Sequence, residues 1–234
     1  MEGGRLMDPR REFILRINPK RCTVMVEQET QGITSCKEIE PTELYNAIIR
    51  NTFDTDRLFS GMLPQGCLSV VQTTAGRKYI ALEYLHHHAN ILYYSQPYKH
   101  FPLPKLVFGF WVDAGGKVVQ AAMGVVKDEP LTPETPMYCY PFSNVRTNFT
   151  ICMGANVLPT VKSLTELSKL ADDILKMPNN DDFFSVMDNQ LHLPYEELLE
   201  HLKDKEPSYY EKRILVPSSR TLGDFLNLSF REVE

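Results

Sequence analysis

The feature that most constrains the fold lies between Cys67 and Val126, where runs of β-branched and aromatic residues are broken twice by glycine-bearing turns. Residues 68–73 and 77–84 flank Thr74-Ala75-Gly76, and residues 106–112 and 117–125 flank Asp113-Ala114-Gly115-Gly116. Short apolar runs separated by residues that supply a positive φ read as hairpins. The expectation is therefore an antiparallel meander of four main strands, with residues 90–94 as a short extra strand, and not a βαβ repeat.

The flanks have a different texture. Residues 22–27 are rich in β-branched and apolar side chains and read as a strand. Pro41, following Glu40, marks the first turn of a helix that should end near Phe53. From Glu129 to Pro159, five prolines (Pro130, Pro133, Pro136, Pro141 and Pro159) forbid any long helix. Long irregular connections inside compact domains are uncommon and carry function, so chemistry is sought there first. Beyond it, Ser163-Leu164-Thr165-Glu166 has capping-box spacing, with Leu164, Leu167, Leu170, Ala171, Ile174 and Leu175 at helical intervals. Pro194 opens a second helix, and Thr221-Leu222-Gly223-Asp224 a third.

The 234 residues, 43% of them hydrophobic, suffice for a proper core. A net charge of -5 with scattered basic residues argues against nucleic acid as a partner. The longest apolar runs are far shorter than the roughly 20 residues that cross a bilayer. The charged N-terminus lacks the order of a secretory signal, so a cytoplasmic chain is expected, and the two Asn-x-Ser/Thr sequons at Asn148 and Asn227 would go unused. Five cysteines, an odd number without a C-x-x-C pair, argue against a disulfide framework and a zinc ribbon.

One cysteine stands in a distinctive setting: Pro141-Phe142-Ser143-Asn144-Val145-Arg146-Thr147-Asn148-Phe149-Thr150-Ile151-Cys152-Met153-Gly154. Asn144 precedes Cys152 by eight residues. That spacing, with Val145 and Ile151 in place, resembles the His-Pro-Asn and Ile/Val-Cys segments of ubiquitin-conjugating (E2) enzymes. The span from Leu63 to Ser185 more closely resembles the prokaryotic E2-like family D, which includes the B proteins of plasmid-borne PRTRC systems. The matching residues are Pro104-Lys105-Leu106-Val107-Phe108, Thr135-Pro136-Met137-Tyr138, Tyr140-Pro141-Phe142-Ser143-Asn144-Val145 and Ile151-Cys152-Met153-Gly154. Pro178-Asn179-Asn180-Asp181-Asp182 after an apolar helix adds modestly to the likeness. The chain departs from the E2 pattern in that Phe142 and Ser143 replace the His and Pro. Phe149 replaces a turn glycine, and the Trp that follows the active Cys is missing.

The resemblance implies an α+β, UBC/E2-like fold: an N-terminal helix, a four-stranded antiparallel meander, an active-site loop and C-terminal helices. It implies three regions: an N-terminal extension (1–39), the conjugating domain (40–187) and a C-terminal helical extension (188–234). It implies that Cys152 accepts the C-terminus of a ubiquitin-like protein from an E1-like adenylating enzyme and passes it to an amine. No cofactor is then required, since ATP is used by the E1 partner; a JAB-type metallopeptidase and an antiphage or plasmid setting belong to the same picture. A thioester keeps the acyl group activated toward an amine, and a side-chain amide such as that of Asn144 either stabilises the developing oxyanion or fixes the loop.

Plainer readings stand beside these. Asn144 also suits a turn capped through its own backbone. Cys139, thirteen residues before Cys152, reads as packing. His86-His87-His88 reads as an exposed strand end, since its side chains alternate between faces, and Trp111 reads as core or sheet surface. A non-catalytic binding or scaffold module in a bacterial operon is the alternative function. A replication or partition accessory that binds DNA is a third.

Overall fold

The computed structural model describes residues 13–18, 20–30, 33–45, 61–127 and 130–228. The chain divides into two compact units, Met1–Phe59 and Ser60–Glu234. In the first, β1 (Phe13–Asn18), β2 (Thr23–Thr30) and β3 (Ile33–Ile39) form an antiparallel sheet in that order. Residues 41–45 are helical, with the amides of Glu43 and Leu44 donating to the Glu40 carbonyl. The remainder of the helix expected to reach Phe53 lies outside the described residues.

The second unit is built on one antiparallel sheet. Its strands are β4 (Cys67–Gln72), β5 (Lys78–Tyr84), β8 (Lys105–Val112), β9 (Val118–Val126), β10 (Pro136–Tyr138) and β12 (Pro217–Thr221), in the spatial order β12-β10-β9-β8-β5-β4. The turns follow from local chemistry. Gly76, at φ +77°, closes the β4–β5 hairpin by donating to the Thr73 carbonyl at 3.0 Å. Asp113 Oδ1 accepts from the amides of Gly115 and Lys117, both at 2.8 Å, and so shapes the β8–β9 turn before Gly116 at φ +86°.

Both faces of the sheet are buried, which accounts for the nearly unbroken apolar character of β8 and β9. Ile80, Leu82, Phe108, Phe110, Met123 and Val125 face one core, which also holds Leu167, Leu170 and Ile174 of α1 (Glu166–Leu175) and Leu198, Leu199 and Leu202 of α2 (Tyr195–Leu202). The alternate residues Tyr79, Ala81, Val107, Trp111 and Ala122 face a second core, closed by Leu222 and Phe225 of α4 (Leu222–Leu226). A short α3 (Ser208–Arg213) precedes β12. A small second sheet, the hairpin of β6 (His88–Tyr93) and β7 (Gln96–Pro102) with β11 (Pro178–Asn179) parallel to β6, touches α1 through β6 and packs on the first core through Ile91, Tyr98 and Phe101.

The E2-type fold expectation is overturned. The sheet is a curled, six-stranded antiparallel one in a strand-rich chain, and a UBC α+β arrangement opening on an N-terminal helix is not what these residues form. Two strands of this sheet come from segments that did not read as strands, as do β1, β3, β7 and β11 outside it. Proline forbids a helix between 129 and 159, but Pro136 costs nothing as the first residue of β10, and Pro217 opens β12 in the same way. The region expected to be a purely helical extension thus returns a strand to the sheet.

The outer edge of β9 is satisfied in three pieces. Tyr138 pairs with Val125, Thr150 bridges Ala122, and Thr160 bridges Lys117, each antiparallel. Backbone bonds complete the edge: Met123 N–H to the Phe149 carbonyl and Ile151 N–H to the Ala121 carbonyl at 2.9 Å, and Val118 N–H to the Pro159 carbonyl at 3.0 Å. The proline-rich segment is in effect one broken strand, and its two excursions away from β9 carry the residues singled out above. No described helix is long and apolar enough to cross a membrane.

Gly109 in β8 is fixed by a close approach. A Cβ there would collide with the Tyr79 hydroxyl and stand 2.8 Å from its ring. That ring packs against Trp111 at 4.8 Å between centroids, and its hydroxyl donates to the Phe225 carbonyl at 2.9 Å, joining the sheet to α4. Gly109→Ala should therefore lower stability by about 1–3 kcal/mol through overpacking. Urea unfolding monitored by Trp111 fluorescence checks this, and an unchanged midpoint would show that the ring is free to move aside.

Candidate functional site

The excursion from Phe142 to Cys152 is anchored at both ends by aromatic side chains. Phe142, where E2 enzymes carry His, is buried among Tyr140, Phe101, Tyr210 and Tyr195, with ring centroids 5.4–6.3 Å away. Its role is to hold the loop to the first core. Phe149, where a glycine is usual, has φ +72°. A left-handed backbone costs a non-glycine residue about 1–2 kcal/mol, and here burial of the ring against Phe225, edge-on at 5.3 Å, offsets that cost.

Between these anchors the loop folds on itself. Val145 bridges Ile151, Arg146 N–H donates to the Thr150 carbonyl at 2.9 Å, and Cys152 N–H donates to the Asn144 carbonyl at 2.8 Å. The structure thus brings the two candidate residues together on facing limbs. Thr150 Oγ1 and N–H both donate to Asn148 Oδ1, which tightens the turn.

Asn144 is a junction of several hydrogen bonds. At φ +66° it occupies the left-handed region that Asn tolerates better than most residues. Its N–H donates to the Asp182 carbonyl at 2.7 Å, and its Nδ2 donates to Asn179 Oδ1 at 3.3 Å. Asn179 in turn donates through Nδ2 to the Leu92 carbonyl at 3.2 Å and accepts the Tyr94 amide at 2.8 Å on its own carbonyl. The result is a continuous path from β6 through β11 and Asn144 to the Cys152 backbone. The next turn is clamped as well, because Asp181 accepts from the hydroxyls of Tyr93 at 2.9 Å and Tyr94 at 3.0 Å.

Cys152 is half-buried, at the wall of a cavity of about 40 Å³ that it shares with Asn144, Ser143, Asn179 and Tyr195. A cavity of that size holds about one water, so it has no room for a larger group beside the thiol. The Ser143 hydroxyl is fully buried and makes no hydrogen bond of ordinary length, although it faces the Tyr195 hydroxyl, which burial pushes up to about 12 despite that neighbour.

The other thiols of this unit differ. Cys139 is half-buried, and burial, then the Asp188 carboxylate that accepts its thiol hydrogen, push its pKa up. Burial likewise raises Cys67. His88 begins β6 and stacks on His100 at 4.1 Å with the rings parallel, and among the described residues no group of three or more His, Cys, Asp or Glu is arranged to hold a metal ion. Trp111 is wholly buried.

No family model, curated protein or solved structure matches the chain. The E2-like resemblance therefore rests on the quoted residues alone.

Sequence spacing had singled out Asn144 and Cys152, while Asn179 entered only as part of a weak Pro-Asn motif and the Tyr93–Asp181–Tyr94 clamp not at all. Its partners are 87 and 88 residues apart, and no local signal joins them. Alkylation with iodoacetamide near neutral pH, read by peptide mass mapping, should label Cys152 well before Cys139 and Cys67. Labelling of Cys139 should rise as pH passes above the ordinary thiol range, because its folded-state pKa is raised. Faster labelling of Cys139 than of Cys152 at neutral pH would contradict this assignment.

Proposed function

We propose that the chain is a thioester-forming conjugating enzyme for a ubiquitin-like protein, E2-like in its chemistry and not in its fold. The observation that carries this reading is the Asn144–Cys152 pair: an accessible thiol whose amide is bonded to the residue whose carboxamide is tied into the neighbouring turn. Such chemistry needs a placed thiol and amide, and it recurs independently of scaffold. In the first step the Cys152 thiolate attacks the thioester carbonyl of the carrier on an E1-like enzyme, and the E1 thiolate leaves. In the second, an acceptor amine attacks the Cys152 thioester, an amide bond forms, and the Cys152 thiolate departs, with the amine proton released to solvent or a base.

In this reading Asn144 acts chiefly by fixing the loop, since its Nδ2 already donates to Asn179. Its Nδ2 also reaches the Pro178 carbonyl at a long 3.5 Å, and that weak contact is the one an oxyanion developing beside Cys152 would have to displace. The same commitment favours a second reading, a binding module that holds a ubiquitin-like protein without forming a covalent bond.

Incubation with an E1-like enzyme, a ubiquitin-like protein and ATP distinguishes the two. The conjugating reading expects a shifted band that thiol reductant reverses, lost or converted to a reductant-resistant oxyester in Cys152→Ser and retained in Cys139→Ser. Charging of the Cys152→Ser protein at the wild-type rate with a reducible adduct would refute it. Because Asn144 sits at positive φ, Asn144→Gly is a cleaner variant than Asn144→Ala. It should slow transfer to the amine more than charging, by tenfold or more, whereas equal slowing of both steps would indicate collapse of the loop.

A further inference from the structure

A groove of about 920 Å³ is lined by Arg146 and Asn148 of the loop, Phe183 and Asp188 of the segment after β11, and Ser218 and Arg220 of β12. Its electrostatics run against those of the chain as a whole, whose net charge is -5. Two guanidinium groups line it, and neither makes an ion pair among the described residues. Among the described residues the one carboxylate in the wall is Asp188, which accepts the Cys139 thiol hydrogen and whose pKa is raised by burial.

Two further features point to a macromolecular occupant. Phe183 is held at φ +60° with 48% of its surface exposed, and the Arg146 guanidinium lies 4.6 Å over its ring. Val186 and Met187, which stand in sequence between the lining residues Ser185 and Asp188, are exposed as well, so apolar surface adjoins the cationic floor. An aromatic kept exposed in a strained conformation is characteristic of a contact surface. On the opposite wall β12 is the terminal strand of the six-stranded sheet, paired among the described strands only with β10 and through an irregular register. A terminal strand offers backbone groups to an extended chain.

We propose that this groove binds an extended acidic segment of a partner protein, with Asp or Glu side chains on Arg146 and Arg220 and an aliphatic side chain on Phe183. Guanidinium forks pair carboxylates in bidentate fashion, the edge of β12 favours an extended backbone, and the adjoining apolar surface supplies the apolar contact. The site stands whether or not Cys152 is a nucleophile.

Selection of random 12-residue peptides on the full-length protein, followed by fluorescence anisotropy with the enriched peptide, tests it. Enriched peptides should carry an excess of Asp and Glu with at least one aliphatic residue. Their affinity should fall at least tenfold in the Arg146→Glu/Arg220→Glu double variant and in Phe183→Ser, and stay within twofold in Arg213→Glu on α3, with circular dichroism and melting temperature matched throughout. Arg220→Ala alone should weaken binding threefold or more, which covers the case in which the double variant fails to fold. No enrichment, enrichment of neutral or basic peptides, or equal binding by the Arg220→Ala protein would overturn the proposal. So would a fluorescent oligo-dT of 12 nucleotides binding as tightly with the same dependence on the two arginines, because the groove would then read phosphates.

Discussion

The structure turns on the outer edge of β9, which has hydrogen-bonding groups to satisfy and no continuous strand to satisfy them. Prolines at 136, 141 and 159 prevent the following segment from running beside it without interruption. Pairing is achieved at Tyr138, again at Thr150 and again at Thr160, and the chain leaves the sheet between these points. Those departures are what set Asn144 and Cys152 against each other at the sheet margin. Burial of the central strands on both faces supplies the second demand, since α1 and α2 must cover one side and α4 the other.

The candidate site inherits its rigidity from this arrangement. Asn144 engages its N–H and carboxamide with the segment from Asn179 to Asp182 and its carbonyl with Cys152, so the position of the Cys152 backbone is set by contacts extending to β6. Cys139 belongs to a different environment, where burial first and then the Asp188 carboxylate raise its pKa. Two cysteines thirteen residues apart thus differ in surroundings because one lies where β10 meets β12 and the other where the chain returns from its excursion.

The legible parts were those specified locally. Gly76, Asp113 and Gly116 marked turns that form as their chemistry requires, and the strands beside them lie within a residue or two of the apolar runs. Leu167, Leu170, Ala171, Ile174 and Leu175 bury the face their spacing defined, with Glu166 Oε1 accepting the Ser163 amide at 3.0 Å. The overall architecture was not legible. β10, β11 and β12 are two to five residues long and exist only through partners distant in sequence, as when Pro136 pairs with Thr221. A short polar strand such as Pro217–Thr221 carries no period of its own, and the likeness to E2 enzymes supplied a helix-first template in place of the missing signal. The same limit applies to the site: the interval from Asn144 to Cys152 was visible, and the tether of Asn144 to Asn179, 35 residues on, was not.

The two aromatic anchors of the loop point into different cores. Phe142 belongs to the core under α1 and α2, and Phe149 to the one under α4. The loop is therefore riveted through the margin of the sheet, with one plug on each face, and cannot swing out while either layer is intact. Flexibility at Cys152 and cohesion of the whole unit then become a single quantity: the Cys152 amide is protected from exchange by much the same barrier that keeps the two layers on the sheet. On the conjugating reading proposed above, a partner approaching this cysteine would meet a preformed surface and be selected by shape and charge around the loop.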